Sequence, residues 1–268
     1  MQLPAERIKT LILALYMLSG MFTAVCTLQI TNQRVVWVPS SENRTFQNYH
    51  SPLKDLLFDI WPVYKSWAFK VTELLGAFQM AQLVVLILCH KHRLIILRRM
   101  FFCAGSLYFY RCLTTVVTSL PVPGTHITCQ PKFGDGDNAW DMIMHVFKVF
   151  LGGGMQATGD GKLGCGGYLY SGHTIILCST ATYLLHYTPR FIFKCGCNLK
   201  TNWIYRVWYW SIVVQTGFGM LCTILAHEHY TVDVIVSYWV TTRIIWMYHT
   251  VAESFPLKME LWKVWQRS

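Results

Sequence analysis

The sequence predicts an all-α integral membrane protein with six transmembrane helices and both termini in the cytosol. Three observations predict it. Hydrophobic residues make up 53% of the 268-residue chain and charged residues only 13%, too little charge to cover a water-facing surface. Six apolar runs of near-spanning length recur, over 11–30, 72–90, 100–120, 168–187, 207–226 and 229–250. Basic residues gather at one set of their ends, at Arg7 and Lys9, His90 to Arg99, Lys194 to Arg206, and Lys258, Lys263 and Arg267. Six crossings put all of these clusters on one side, which the positive-inside rule makes the cytosol.

The elements follow in order. The first run has no small-residue cleavage site behind it and reads as a retained anchor rather than a signal peptide. The polar stretch from Thr31 to Lys70 holds the sequon Asn43-Arg44-Thr45, and Asn43 falls on the lumenal or extracellular side as a glycosylation candidate. The second run leads into the densest basic cluster. The third is stopped by Pro121-Val122-Pro123-Gly124. A Gly- and Asp-rich connection with an amphipathic patch near Trp140 to Phe150 precedes the fourth run, which ends at Pro189-Arg190. No internal repeat appears, and the whole chain, 1–268, reads as one membrane domain. The net charge of +10 is accounted for by topology and anionic headgroups, so no nucleic-acid partner is predicted.

Polar residues inside apolar runs carry the functional signal, because burying a charge in a membrane is expensive. The fourth run opens on Ser171-Gly172-His173-Thr174, and the sixth carries His229 and Asp233 at its leading edge. The predicted topology brings His173 and His229 to one depth, near the lumenal face. On a helix, residues four apart share a face, so Asp233 can hold the His229 imidazole. His249 lies roughly 30 Å farther along the same helix, outside such a site. Two histidines and a carboxylate suit displacement at a phosphate ester. One imidazole attacks phosphorus while the Asp fixes its tautomer, and the other protonates the leaving alkoxide. The bland reading, an intramembrane histidine bonded across helices, explains each histidine singly but not their convergence with Asp233. Arg111, in the middle of the third run, serves either as a phosphate clamp or in a structural ion pair.

The ten cysteines are not spaced as metal ligands, and neither metal nor cofactor is invoked. Cys129 and Cys165 alone fall in lumenal segments and form the candidate disulfide. Cys195 and Cys197 lie in a cytosolic loop, with free thiols as the default.

The residues also resemble a known family, the sphingomyelin synthases, from the first run to the sixth. The most specific segments are Ser106 to Asp135, GYLYSGHT at Gly167 to Thr174, and HEHYTVDVIVSYWVTTRIIWMYHT at His227 to Thr250. The resemblance implies a phosphotransferase that moves phosphocholine from phosphatidylcholine to ceramide, with His173, His229 and Asp233 as its catalytic residues. Similarity to lipid phosphate phosphatases is more distant; it implies a shared helical core, His229 as nucleophile and His173 as acid/base. Tyr168 and Tyr170, before Ser171, look like the phosphocholine enzymes, and these three join Arg111 as candidate substrate-binding residues. The chain departs from the family at Gly167, where Asp is usual. The folded cytosolic N-terminal module of some members is expected to be absent, since about ten residues precede the first run.

The expected partners are therefore ceramide and phosphatidylcholine in a Golgi or plasma membrane, with a homo-oligomer left open. Ceramide phosphoethanolamine synthesis, a lipid phosphate phosphatase and a non-catalytic lipid transporter are the alternatives.

Overall fold

A computed structural model describes residues 3–34, 53–124, 166–192 and 203–267, with positions 140, 144, 146, 147 and 150 between them. Among the described residues the structure is helical, without strands. Seven helices can be bounded: α1 (Leu3–Arg34), α2 (Leu56–Ile60), α3 (Ser66–Cys89), α4 (Arg93–Val117), α5 (Gly172–Ile192), α6 (Trp203–Leu225) and α7 (Thr231–Arg267). Each of the six predicted runs overlaps one long helix. Among the described residues, four stretches are long and apolar enough to cross a membrane: Glu6–Arg34, Ser66–Cys89, Arg93–Val117 and Trp203–Leu225. The other two long helices, α5 and α7, carry the candidate site.

Several boundaries depart from the sequence reading. The fourth run begins its helix at Gly172, not at 168, because Ser171 caps it. The sixth begins at Thr231, so His229 precedes the helix, and it continues to Arg267 rather than ending near 250. Helix α4 starts at Arg93, which places Arg98 and Arg99 on a helix, not in a basic loop. Arg98 pairs with Glu6 of α1, and Arg99 donates to the Tyr187 hydroxyl at 3.2 Å. Helix α2 lies in the stretch read as a polar connection. Asn43, Cys129, Cys165, Cys195 and Cys197 lie outside the described residues.

Helices α3 to α7 share one core. Leu83, Leu86 and Ile87 of α3 pack with Ile96 and Cys103 of α4, Tyr183 and Tyr187 of α5, Ile212 of α6 and Ile245 of α7. Outward-facing Leu74, Val85, Leu88, Val214, Ile235 and Trp239 are exposed, as side chains turned toward lipid would be. Apolar burial gains little between helices in lipid, so polar bonds and close backbone approach matter more. Gln79 of α3 supplies such a bond, donating to Thr216 of α6 at 2.8 Å and accepting from Thr180 of α5 at 3.1 Å.

Helix α1 packs along α4 through glycines. A Cβ on Gly20 would stand 3.0 Å from the Gly105 carbonyl oxygen, and one on Gly105 would meet the Tyr16 ring and lie 3.2 Å from the Met17 Cα. Arg34 pins the far end, donating to the Val116 carbonyl at 3.0 Å in the last turn of α4, where a cation suits the helix dipole. The described positions between 140 and 150 are helical, and the rings of Phe147 and Phe150 lie 5.7 and 5.6 Å from Phe22 of α1.

Candidate active site

Two helix N-termini form the site. Ser171 is the N-cap of α5: its carbonyl accepts from Ile175 N–H at 3.1 Å, and its hydroxyl accepts from Thr174 N–H at 3.4 Å. A Ser in this position satisfies donors that the first turn leaves free. His173 follows within that turn, where the dipole favours negative charge. Its ring lies against Phe69 of α3, centroids 5.2 Å apart at 74°.

Tyr230 occupies the N-cap position of α7, and its side chain cannot turn back to cap. Asp233, at the third helical position, reaches back instead, and its Oδ2 accepts from Tyr230 N–H at 3.0 Å. That is the acidic half of a capping box. The same oxygen stands 3.4 Å from His229 Nδ1, with Asp233 fully buried. The predicted His229–Asp233 pairing is present, but its basis is a turn leading into a helix, not one helical face. With Nδ1 toward the carboxylate, Nε2 is the imidazole nitrogen left to meet a substrate.

Ser237 joins the two termini. Its hydroxyl accepts from Ser171 N–H at 2.7 Å and donates to the Asp233 carbonyl at 2.6 Å. These bonds set the start of α5, which carries His173, beside the start of α7. The Arg111 guanidinium lies against the α-carbon of Gly172, so that any Cβ there would collide with Nη1. Arg111 thus stands at the start of α5 beside His173.

The remaining candidates divide. Tyr168 is buried with its ring centroid 5.9 Å from that of His229, and its hydroxyl has no hydrogen-bond partner among the described residues. Tyr170 packs with Leu107 and Ile175 against Val236, Val240 and Ile244. The Ser171 hydroxyl is engaged in capping. Gly167 is buried beside α1, where a Cβ would come within 2.9 Å of Leu28 Cδ1; a larger residue there requires Leu28 to move. Thr223 bonds the Gly219 carbonyl at 3.0 Å, within the packing of α6 against α3. His249 is held near the middle of α7, 2.9 Å from the Tyr187 hydroxyl. Among the described residues no three His, Cys, Asp or Glu side chains gather as metal ligands.

Sequence reasoning missed Ser237, Phe69 and the contacts of the 53–61 segment. Ser237 lies four residues after Asp233, on the same helical face, and that spacing was the available signal.

Residues 164–250 match the PAP2 superfamily C-terminal family, and this interval contains His173, His229 and Asp233. Phosphatidylcholine:ceramide cholinephosphotransferase 1 of Rattus norvegicus is 38% identical over 261 residues, covering 96% of this chain and 55% of that protein. The Gallus gallus protein of the same name is 39% identical, covering 96% and 56%. Phosphatidylcholine:ceramide cholinephosphotransferase 2 of Mus musculus is 36% identical over 256 residues, covering 96% and 63%. The chain thus spans little more than half the length of the curated relatives it matches first. Over nearly all of its own length the chain is thus similar to phosphatidylcholine:ceramide cholinephosphotransferases, and across both histidines it matches the PAP2 superfamily C-terminal family.

Proposed function

We propose that the chain transfers phosphocholine from phosphatidylcholine to the primary hydroxyl of ceramide, giving sphingomyelin and diacylglycerol. The observation that carries this reading is the His229–Asp233 pair at 3.4 Å, bonded through Ser237 to the start of α5, which carries His173 and meets Arg111. The homology supplies the substrate class.

His229 Nε2 attacks phosphorus, forming a P–N bond as the P–O bond to diacylglycerol breaks. His173 gives its proton to the departing alkoxide, then takes one from the ceramide hydroxyl. That oxygen attacks phosphorus, the P–N bond breaks, and free His229 returns. Asp233 holds the neutral His229 in the tautomer that leaves Nε2 free to attack, and stabilises the positive charge that the ring gains as the P–N bond forms. Arg111, the first-turn amides of α5 and the Tyr168 hydroxyl are placed to stabilise charge on the phosphoryl oxygens. Tyr170 and Ser171 act on the substrate indirectly, through the shape and capping of that turn.

The same reading takes all six long helices as spans of a single membrane domain, with the termini cytosolic and the site at the lumenal or extracellular face. The basic ends support it, and a Golgi or plasma membrane follows. Cys129–Cys165 pairing and glycosylation at Asn43 belong to that orientation. A homo-oligomer is compatible with it.

The test uses purified protein in liposomes with labelled ceramide and either phosphatidylcholine or phosphatidylethanolamine. Sphingomyelin from the choline donor, lost in His229→Ala, is the expected result. Product only from the ethanolamine donor would move the assignment to ceramide phosphoethanolamine synthesis. No product from either would overturn the transferase reading.

A further inference from the structure

The segment from Leu53 to Trp61 makes a dense set of contacts with the turn that carries His229. Asp55 reaches Thr231, the first residue of α7, with both carboxylate oxygens: Oδ2 accepts from Thr231 N–H at 2.7 Å and Oδ1 from its hydroxyl at 2.6 Å. Leu53 N–H donates to the Tyr230 hydroxyl at 3.2 Å, and that hydroxyl lies 3.2 Å from the Pro121 carbonyl. The Trp61 carbonyl stands 2.9 Å from His227 Nε2. Phe58 lies against His227 and Tyr230, with ring centroids 4.3 and 5.7 Å away. His227, Tyr230 and Thr231 are therefore all held from this segment, and His229 stands among them.

The turn needs such support. Its residue His227 has φ of 52°, in the left-handed region, which a non-glycine residue keeps only when its surroundings hold it there. Tyr230 cannot cap α7 with its own side chain, and Asp233 serves only one of the orphan amides. Asp55 supplies the missing acceptor from a distant part of the chain.

We propose that Asp55 is a positioning residue of the transfer reaction, capping α7 from outside and thereby setting His229 against Asp233. This rests on the reading of His229 as nucleophile. The requirement is for an acceptor, not for a charge. Asp55 Oδ1 also accepts from Leu57 N–H at 3.0 Å, as the N-cap of α2, so an Asn that turns its oxygen to the Thr231 amide keeps the cap of α7 and gives up that of α2.

The experiment measures kcat and the KM for each lipid in liposomes for wild type, Asp55→Ala, Asp55→Asn and Thr231→Val, with thermal unfolding in detergent beside them. Misplacement of reacting groups by about 1 Å costs on the order of 10²-fold. The expected result is a fall in kcat of about that size for Asp55→Ala, with both KM values within roughly twofold. Asp55→Asn should recover most of the loss, and Thr231→Val, which keeps the amide bond, should fall between. Unchanged kcat in Asp55→Ala overturns the proposal, as does a rise in KM alone, which would make Asp55 a substrate contact. Failure of Asn to rescue overturns the acceptor argument. Should Asp55→Ala not fold, Asp55→Ser, whose shorter side chain can still cap α2 but cannot span to the Thr231 amide, takes its place, and an unchanged kcat there overturns the proposal. If the wild type forms no product, the transferase reading falls and takes this inference with it; if only Asp55→Ala is indistinguishable from wild type, this inference falls alone.

Discussion

Ser171 donates its backbone amide to the Ser237 hydroxyl across 2.7 Å, and so the helix bearing His173 is bonded to the helix bearing Asp233 at their first turns. The same hydroxyl donates to the Asp233 carbonyl at 2.6 Å. Ser237→Ala leaves a buried amide without an acceptor, at a cost of about 1–3 kcal/mol. It also lets the two termini drift. A lower unfolding temperature together with a kcat reduced by about tenfold or more is expected, read by thermal unfolding and turnover on the same preparation.

Gly172 gives a cleaner separation of fold and function. An added Cβ would run into Arg111 Nη1, displacing the guanidinium from the start of α5. Ala is the better helix former by about 1 kcal/mol, so Gly172→Ala should unfold no earlier than wild type while turnover falls at least tenfold. Arg111→Lys should also lose turnover, because a point charge does not replace the planar fork at a phosphoryl group.

Asp233 has two duties that one substitution divides. Asn at 233 can still accept from Tyr230 N–H, now at 3.0 Å, and so keeps the capping bond. It cannot stabilise an imidazolium. Asp233→Asn is expected to retain its unfolding temperature and lose about 10²-fold or more in kcat. A parallel loss of both would show that Asp233 acts mainly as a cap.

Gln79 bridges three helices, yet its removal should be mild. Thr216 and Thr180 each keep a bond to a carbonyl of their own helix, Ile212 at 2.8 Å and Ile176 at 2.7 Å. Gln79→Leu therefore strands no hydroxyl, and a loss of about 1 kcal/mol is expected, with turnover unchanged.

The long helices were legible because each is an apolar run bounded by charge, proline or glycine. The pairing of His229 with Asp233 was legible because an acid inside such a run is costly enough to demand a partner. The start of α7 was not. Its cap comes from Asp55, 176 residues away, and local spacing carries no trace of so distant an acceptor. Tyr168 and Tyr170 illustrate another limit. The two residues look equivalent in sequence, but a bend separates them, sending one ring to His229 and the other into the packing of α4, α5 and α7. Arg98 stands in the sequence only as part of the basic cluster His90 to Arg99, and its pairing with Glu6 depends on the packing of α1 along α4.

Helix α1 is clasped to α4 by glycine at mid-length, by Glu6 to Arg98 at one end and by Arg34 to Val116 at the other. Held at three points, the pair behaves as a single plank. A thicker or thinner bilayer is met by tilting, and here a tilt of α1 carries α4 with it. Arg111 rides on that plank, whereas Gly172 does not. Turnover is therefore expected to change with the acyl-chain length of the surrounding lipid, read in liposomes of two thicknesses.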